Sequence, residues 1–325
     1  MSAPRPIPGL HHVTAISGPA QENLDFYAGV LGMRLVKKSV NQDDPGTYHL
    51  FYADAAGSPG SDLTFFPWDQ MAPARRGHGL ATEVALTVPA GSLDWWAARL
   101  ERYGVETDAA GERFGDRTLL LRDPHRMPLA LVESAGGAAR PFEAWSESPV
   151  PAERQIRGLE GARAWERELA PTTAFLREAM GFRLHGEENG WQRWVVGEPG
   201  ANLSGAWLDL REMPEERRGA WGVGAIHHLA WRVDDLEHQA AVRARVAAAE
   251  RHPTPVIDRF WFQSVYFKEP GGVLFELATD GPGFAVDEAP EHLGEKLVLP
   301  PWLEPERAAI ESALPPLEAA VAERA

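Results

Sequence analysis

Cysteine is absent from all 325 residues of this chain. Disulfide bonds and thiolate metal sites are therefore excluded, and a protein without them is typical of the reducing cytoplasm, where we expect this one to reside. Long apolar runs are also missing, since none approaches the roughly 20 residues of a membrane-spanning helix. The first residues, Met1 to Pro6, contain no apolar signal core. We therefore expect no membrane association.

Cationic residues are scarce relative to acidic ones, with 32 Lys and Arg against 47 Asp and Glu, which gives a net charge of −15. Such a surface repels nucleic acids and anionic membranes, so we expect neither as a partner. Hydrophobic residues make up 44% and charged residues 24% of the chain, as in ordinary globular proteins. The length suits two domains with real cores. A small neutral substrate is compatible with this charge, and the composition leaves a homo-oligomer open.

One pattern recurs four times along the chain: a strand, an amphipathic helix, and then short strands separated by Gly, Pro and Asp turns. In the first copy the helix covers residues 20–31, with apolar residues at helical spacing and Gly32 at its end. The four copies occupy, in order, residues 11–66, 83–132, 157–210 and 227–279. Internal repetition of this kind indicates units that must stack in order to bury their sheet faces.

From these repeats we predict an α+β fold of four βαβββ modules, paired into two domains. The N-terminal domain covers residues 8–140 and the C-terminal domain residues 152–284, with a proline-rich link between them at 141–151. A C-terminal helical extension covers residues 285–325. Within it, residues 304–325 predict one or two helices, broken at Pro315-Pro316.

The dipeptide His-His opens an apolar strand twice, at His11-His12 and at His227-His228. Further along, Glu276 lies alone inside another apolar strand, where a carboxylate without a partner would be costly. Two imidazoles and one carboxylate are the ligand set of non-haem Fe(II) oxygenases, which leave coordination positions open. An isolated strand histidine is more often structural, but these residues fall at matched repeat positions. We therefore favour a metal site.

The repeats also allow the position of Glu276 to be compared between units. Counted from the preceding proline, its counterparts in units one, two and three are Phe65, Ala130 or Leu131, and Gly205. We interpret the carboxylate as particular to unit four. Because side chains alternate between the faces of a strand, only one histidine of each pair is expected to point into the site. The alternation is compatible with His12 and His228 but does not decide between the histidines.

Four paired βαβββ units resemble the vicinal oxygen chelate superfamily, which includes glyoxalase I, fosfomycin-modifying proteins and extradiol ring-cleaving dioxygenases. The resemblance covers residues 8–284, and it implies that each pair of modules forms a half-barrel. Several segments resemble, more specifically, the hydroquinone-type ring-cleaving dioxygenases, among them 2,6-dichlorohydroquinone 1,2-dioxygenase and methylhydroquinone-acting relatives. These segments are residues 10–14, 36–38, 48–54, 62–67, 91–96, 113–115, 258–266 and 270–276.

This resemblance implies an Fe(II) site held by three residues, His12, His228 and Glu276. It also implies catalytic roles for four neighbours, His11, His227, Arg259 and Tyr266, with one of the two histidines as the general base. Thr14 would contact the ring hydroxyl of the substrate or a bound water. For Arg259 the alternative is a salt bridge with Asp258 or another surface acid, and for Tyr266 it is a plain core position.

The function implied is an Fe(II)-dependent, extradiol-type dioxygenase that takes O2 and a small aromatic substrate, a hydroquinone cleaved at its 1,2-bond or a related phenol. One alternative is a glyoxalase-like metal-dependent isomerase or lyase, whose metal site usually carries two carboxylates. Another is a non-catalytic protein of the same fold that binds aromatic ligands, although such proteins often lack the metal triad. The intact triad with a single carboxylate favours the dioxygenase.

Overall fold

The computed structural model describes residues 5–198 and 200–320, and four similar units follow one another along them. The elements of unit one are β1 (Leu10–Ser17), α1 (Ala20–Leu24), β2 (Arg34–Asn41), β3 (Asp44–Ala53) and β4 (Asp62–Pro67). Those of unit two are β5 (Leu80–Val88), α2 (Leu93–Arg102), β6 (Gly111–Arg113), β7 (Asp116–Arg122) and β8 (Pro128–Glu133).

The second half of the chain repeats this order. The elements of unit three are β9 (Gly158–Glu166), α3 (Leu169–Glu178), β10 (Arg183–Glu188), β11 (Trp191–Val195) and β12 (Trp207–Glu212). Those of unit four are β13 (Ile226–Val233), α4 (Leu236–Ala248), β14 (Ile257–Asp258), β15 (Gln263–Lys268) and β16 (Leu274–Thr279). Fourfold repetition of the predicted unit is thus confirmed.

The helices follow from apolar spacing and from local signals at their ends. In α2 the residues that face the sheet are buried, among them Leu93, Trp96 and Leu100, as expected for an amphipathic surface helix. Asp235 directly precedes α4, and its carboxylate accepts the backbone N–H of His238 at 2.8 Å and caps the helix. The first helix is α-helical over Ala20–Leu24 and continues as a π-helix over Asp25–Val30.

The sixteen strands form two eight-stranded sheets, and each sheet joins one unit from each half of the chain. One sheet has the order β14-β15-β16-β13-β1-β4-β3-β2 and so combines units one and four. The other has the order β10-β11-β12-β9-β5-β8-β7-β6 and combines units two and three. The predicted fold class, paired modules in two half-barrels, is therefore confirmed. The division into domains at 8–140 and 152–284 remains a prediction.

The C-terminal extension lies along β2, the outermost strand of the first sheet. A parallel bridge joins Lys38 to Leu297, and the backbone N–H of Val298 donates to the carbonyl of Lys38 at 2.9 Å, which protects this sheet edge from pairing elsewhere. One predicted helix is present as α5 (Arg307–Ala313), but residues 314–320 form no helix and residues 321–325 lie outside the described residues. No helix in the described ranges is long and apolar enough to cross a membrane.

Candidate metal centre

Three neighbouring strands of the first sheet bring the predicted ligands together. Strand β13 lies between β1 and β16, and its Ala230 is opposite His12 on one side and Glu276 on the other. The Nε2 atoms of His12 and His228 are 3.3 Å apart. Oε2 of Glu276 lies 3.3 Å from Nε2 of His12 and 2.9 Å from Nε2 of His228. The three side chains therefore converge on one point, although the two histidines are 216 positions apart.

The environment of Glu276 tests whether this cluster suits a metal ion. The side chain is fully buried; Oε1 accepts the Ser264 hydroxyl at 2.5 Å, whereas Oε2 has no hydrogen bond of suitable angle. Burial alone raises the pKa of Glu276, but the imidazoles of His12 and His228 more than offset this and hold it well below its usual range. An ionised carboxylate with one unsatisfied oxygen between two ring nitrogens fits a divalent cation.

This is the one group of three His, Asp or Glu side chains with such spacing in the part of the chain that the structure describes. All three residues are buried. A ligand set of two nitrogens and one oxygen suits Fe(II), and it leaves coordination positions for other molecules. The residues present therefore fit the predicted metal ion, and their role as ligands remains a prediction.

The other histidine of each pair lies at a β-bulge. The pairing of β1 with β13 shifts register once at His11 and once at His227, and such bulges redirect side chains. As a result, Nδ1 of His11 lies 2.9 Å from Nδ1 of His12, and Nδ1 of His227 lies 2.8 Å from Nδ1 of His228. Strict alternation of faces, which the sequence analysis assumed, does not hold at these two positions.

These contacts leave Nε2 of each candidate ligand free for the metal, while Nδ1 faces a neighbouring ring. A hydrogen bond to Nδ1 fixes the tautomer and orientation of a ligating histidine. Burial, followed by the adjacent histidine, lowers the pKa of both His11 and His227 to about 3. Both rings are therefore neutral near pH 7 and able to accept a hydrogen bond from the N–H of the ligand ring. This geometry supports an orienting role, and the predicted role as general base remains untested.

A small cavity of about 40 Å³ adjoins two of the three candidate ligands, His12 and His228. Its lining combines aromatic rings with amide, imidazole, carboxylate, phenol and guanidinium groups. The lining residues are His12, Asn41, Gln42, Asp43, His49, Phe51, Phe66, His228, Arg259, Trp261, Phe262 and Tyr266. We call this concave face of the sheet of units one and four the metal cup.

Arg259 and Tyr266 line the cavity, as the sequence predicted. Arg259 donates to Asp43 at 2.8 Å, so the surface acid that it pairs with is Asp43 rather than its neighbour Asp258. Its guanidinium lies 5.6 Å from the ring centroid of Tyr266, and that ring lies 5.6 Å from the ring of His228. Burial and then the carboxylate of Glu276 raise the pKa of Tyr266, so the phenol keeps its proton and can donate a hydrogen bond.

Thr14 and His49 are connected through one intermediate side chain. The hydroxyls of Thr14 and Thr64 are 2.8 Å apart, and the Thr64 hydroxyl lies 2.9 Å from Nε2 of His49. Thr14 is fully buried and is not among the cavity-lining residues, whereas His49 is. His49 lies in one of the segments that carry the family resemblance (residues 48–54), but it was not among the predicted site residues. The sequence does contain a signal for His49: it lies two positions before the aromatic Phe51 in the same strand, so the two side chains share one face of the sheet.

Comparisons with known proteins agree with this geometry. The profile of the Glyoxalase/Bleomycin resistance protein/Dioxygenase superfamily matches residues 9–130 and 163–277. MhqO of Bacillus subtilis (strain 168) is named provisionally as a ring-cleaving dioxygenase. It is 42% identical to this chain, over 95% of this chain and 96% of its own length. The chlorohydroquinone/hydroquinone 1,2-dioxygenase of Sphingobium indicum is 35% identical, over 94% of this chain and 95% of that protein.

The chain belongs to the glyoxalase/bleomycin resistance protein/dioxygenase superfamily. A crystal structure from Bacillus subtilis subsp. subtilis str. 168, described provisionally as a dioxygenase, matches it with a TM-score of 0.89 and 41% identity, covering 98% of this chain and 99% of that one. Glyoxalase I from Zea mays matches with a TM-score of 0.59 at 14% identity, over 84% of this chain and 92% of that one. The latter similarity shows a shared fold alone.

The positions of residues in the last strand of each unit correct the predicted counterparts of Glu276. Glu276 is the third residue of the last strand of its unit, and the third residues in units one to three are Thr64, Ala130 and Asp209. Thr64 replaces the predicted Phe65, and Asp209 replaces Gly205. The interpretation that only unit four carries a carboxylate at this position is therefore wrong. The strand of unit three begins later than the count from the preceding proline assumed.

Proposed function

We propose that this protein is an Fe(II)-dependent ring-cleaving dioxygenase that acts on hydroquinones with O2. The observation that carries this proposal is the convergence of His12, His228 and Glu276 beside a cavity walled by aromatic rings. The hydroquinone activity carried in the name of the Sphingobium indicum relative supports it. Fe(II) held by these residues would supply open coordination positions and the one-electron chemistry that a reaction with O2 requires.

The residues around the triad suit a phenolic substrate. Arg259 carries a permanent positive charge that favours a phenolate over a phenol, and Tyr266 retains a proton for hydrogen bonding. Burial, then the charges of His12, His228 and Arg259, lower the pKa of His49 well below its usual range. His49 therefore presents a neutral imidazole to the cavity. A neutral group does not add to the cationic charge and can accept a hydrogen bond from a hydroxyl.

A hydroquinone carries its two hydroxyls on opposite sides of the ring, so only one of them can reach the metal. The cavity provides further polar groups for the other, including the side-chain amides of Asn41 and Gln42. Phe51, Trp261 and Phe262 supply aromatic surface against which a ring can pack. A catechol, with adjacent hydroxyls, would use two coordination positions and leave these distant polar groups without a partner.

Three of the residues that line the cavity, Gln42, Asp43 and Arg259, are joined by hydrogen bonds. The amide of Gln42 donates to the backbone carbonyl of Arg259 at 2.9 Å, and Arg259 pairs with Asp43. These bonds join the end of β2 to the loop before β15. Asp43 is largely exposed, so its ion pair is weak. We place the entrance at this junction.

The test is oxygen uptake by protein that has been purified without oxygen and loaded with Fe(II). We expect uptake with hydroquinone and methylhydroquinone, slower uptake with catechol, and none in His228→Ala. Product analysis should find both atoms of ¹⁸O2 in a ring-opened acid. A metal-dependent isomerase reaction without oxygen uptake would contradict the proposal and favour the glyoxalase-like alternative. Aromatic binding without turnover in iron-loaded protein would favour a binding protein.

A further inference from the structure

Lys37 on β2 is a fully buried lysine with a complete set of acceptors. Its ammonium donates to Oδ1 of Asp287 at 2.7 Å, to Oε2 of Glu288 at 2.5 Å and to the carbonyl of Phe284 at 3.1 Å. Lysine is almost never fully buried unless it is paired, and three acceptors match its three donors. All three acceptors belong to the chain that follows unit four. Lys37 thus ties this segment to the sheet of units one and four.

Asp287 links Lys37 to the wall of the metal cup. While Oδ1 of Asp287 binds Lys37, its Oδ2 accepts the indole N–H of Trp261 at 3.0 Å. The ammonium of Lys37 also lies 5.5 Å from the centroid of the Trp261 ring, within the range of a cation–π interaction. Trp261 is almost fully buried and lines the cavity beside the candidate ligands. Lys37 therefore contacts a cavity wall both through a carboxylate and directly.

Two other cationic residues of β2 bind the backbone of the extension. Arg34 donates to the carbonyls of Pro290 and Glu291, each at 2.9 Å, and Lys38 donates to the carbonyl of Glu295 at 3.0 Å. These bonds anchor the backbone of the extension along β2. Lys38 is adjacent to Lys37 but points to this outer side. It is a natural control, because its loss removes one cationic anchor without disturbing Trp261.

We propose that Lys37 is a positioning residue for the aromatic substrate: through Asp287 it holds the Trp261 ring in the place where that ring forms the cavity wall. This inference rests on the proposed function. A fixed wall lowers the entropic cost of binding a ring, and this contribution is the same for the bound substrate and the transition state. Loss of Lys37 should therefore weaken binding more than turnover.

Lys37→Met is the main test, since methionine retains length but removes the charge. We expect normal iron content, a rise of about tenfold or more in the KM for hydroquinone and in its anaerobic Kd, and a kcat within about twofold of wild type. Lys38→Met should match wild type in all four quantities. Trp261→Phe, which keeps an aromatic ring but removes the N–H donor, should raise KM in the same direction.

A rescue pair separates positioning from general stability. Asp287→Ala removes the bridge and should behave like Lys37→Met, whereas Asp287→Asn retains an oxygen that can accept the Trp261 N–H and should lie closer to wild type. Wild-type KM and Kd in Lys37→Met would overturn the inference. So would parallel losses of iron, kcat and folded protein in Lys37→Met together with normal binding in Trp261→Phe.

A further measurement on metal-free protein keeps this inference distinct from the proposed function. Lys37→Met should speed proteolytic cleavage within residues 284–299 and change the near-ultraviolet circular dichroism in the same bands as Trp261→Phe. If wild-type protein neither binds nor cleaves hydroquinone, the proposed function fails. If hydroquinone is cleaved normally while the Lys37→Met spectrum, proteolysis and KM are all those of wild type, the positioning role fails instead.

Discussion

The two sheets of this protein form two cups that are built alike but contain different chemistry. In the second cup, formed by units two and three, β5 and β9 pair with the same two register shifts that occur in the metal cup. They fall at Thr82 and Glu160, where the metal cup has His11 and His227. The bulges therefore belong to the shared scaffold, and they do not require a histidine.

The positions of the candidate metal ligands differ in residue type between the two cups. Strand register places three residues of the second cup at the positions of His12, His228 and Glu276: these are Glu83, Gly161 and Asp209. A side chain at Gly161 would collide with the Trp207 ring, because an added Cβ would lie 2.1 Å from it. The second cup thus has a carboxylate at the matching position but no imidazole beside it.

Guanidinium groups neutralise the carboxylates of the second cup. Asp209 accepts from Arg193 at 2.8 Å and from Arg163 at 3.2 Å, and Glu83 accepts from Arg113 at 2.5 Å. The remaining cavity is about 10 Å³. Arginine stays protonated and cannot coordinate a metal. A buried carboxylate on this scaffold thus lies beside two imidazoles in one cup and in a salt-bridge network of guanidiniums in the other.

Removing a ligand from the metal cup should have the largest effect. We expect His228→Ala to lose most bound iron and to reduce oxygen uptake at least a hundredfold, because two ligands cannot hold the metal in place. Glu83→Gln, at the position in the second cup that matches His12, should retain one iron per chain. Elemental analysis of both variants checks this, and full iron occupancy in His228→Ala would refute the ligand assignment.

Removing a cationic side chain from the second cup should lower the stability of the fold and leave iron binding unchanged. Arg163→Met leaves Asp209 with one guanidinium fewer in a buried site, which should lower the free energy of unfolding by about 3 kcal/mol. Urea denaturation of metal-free protein measures this change, while iron binding by the folded variant should remain normal. Unchanged stability would show that the network is not what holds the second cup together.

Arg259→Ala should retain iron and lower kcat about a hundredfold, the usual loss for one electrostatic donor. Arg259→Lys, which keeps the charge but not the planar group, should lose less. Steady-state oxygen uptake on iron-replete protein gives both values. A wild-type kcat in Arg259→Ala would show that the guanidinium only forms the ion pair with Asp43 and does not contribute to turnover.

The smallest effect is expected at the bulges. His227→Ala removes the group that orients His228 and should lower iron affinity about tenfold, whereas Glu160→Gln at the matching bulge should leave it unchanged. Competition with a chelator measures the affinity. If iron affinity is normal and the pH profile of turnover shifts instead, His227 is the general base that the sequence predicted.

Much of the fold and of the candidate site could be predicted from the repeats and from the residue types. The four units follow from local patterns that recur in the sequence, and so does the association of the two His-His pairs with Glu276. The choice of His12 and His228 as the ligands came from the family resemblance. The bulge at His11 could not be predicted, because it depends on the register between strands more than 200 residues apart. The partners of Lys37 were missed for the same reason: they lie about 250 positions away along the chain.

The central claim is that one of the two cups holds a metal and the other does not. Anomalous diffraction at the iron edge from crystals of Fe(II)-loaded protein tests it directly. We predict a single peak per chain, at about 2.2 Å from Nε2 of His12, Nε2 of His228 and Oε2 of Glu276. A peak among Glu83, Asp209 and their arginines, or no peak in the metal cup of fully active protein, would contradict it.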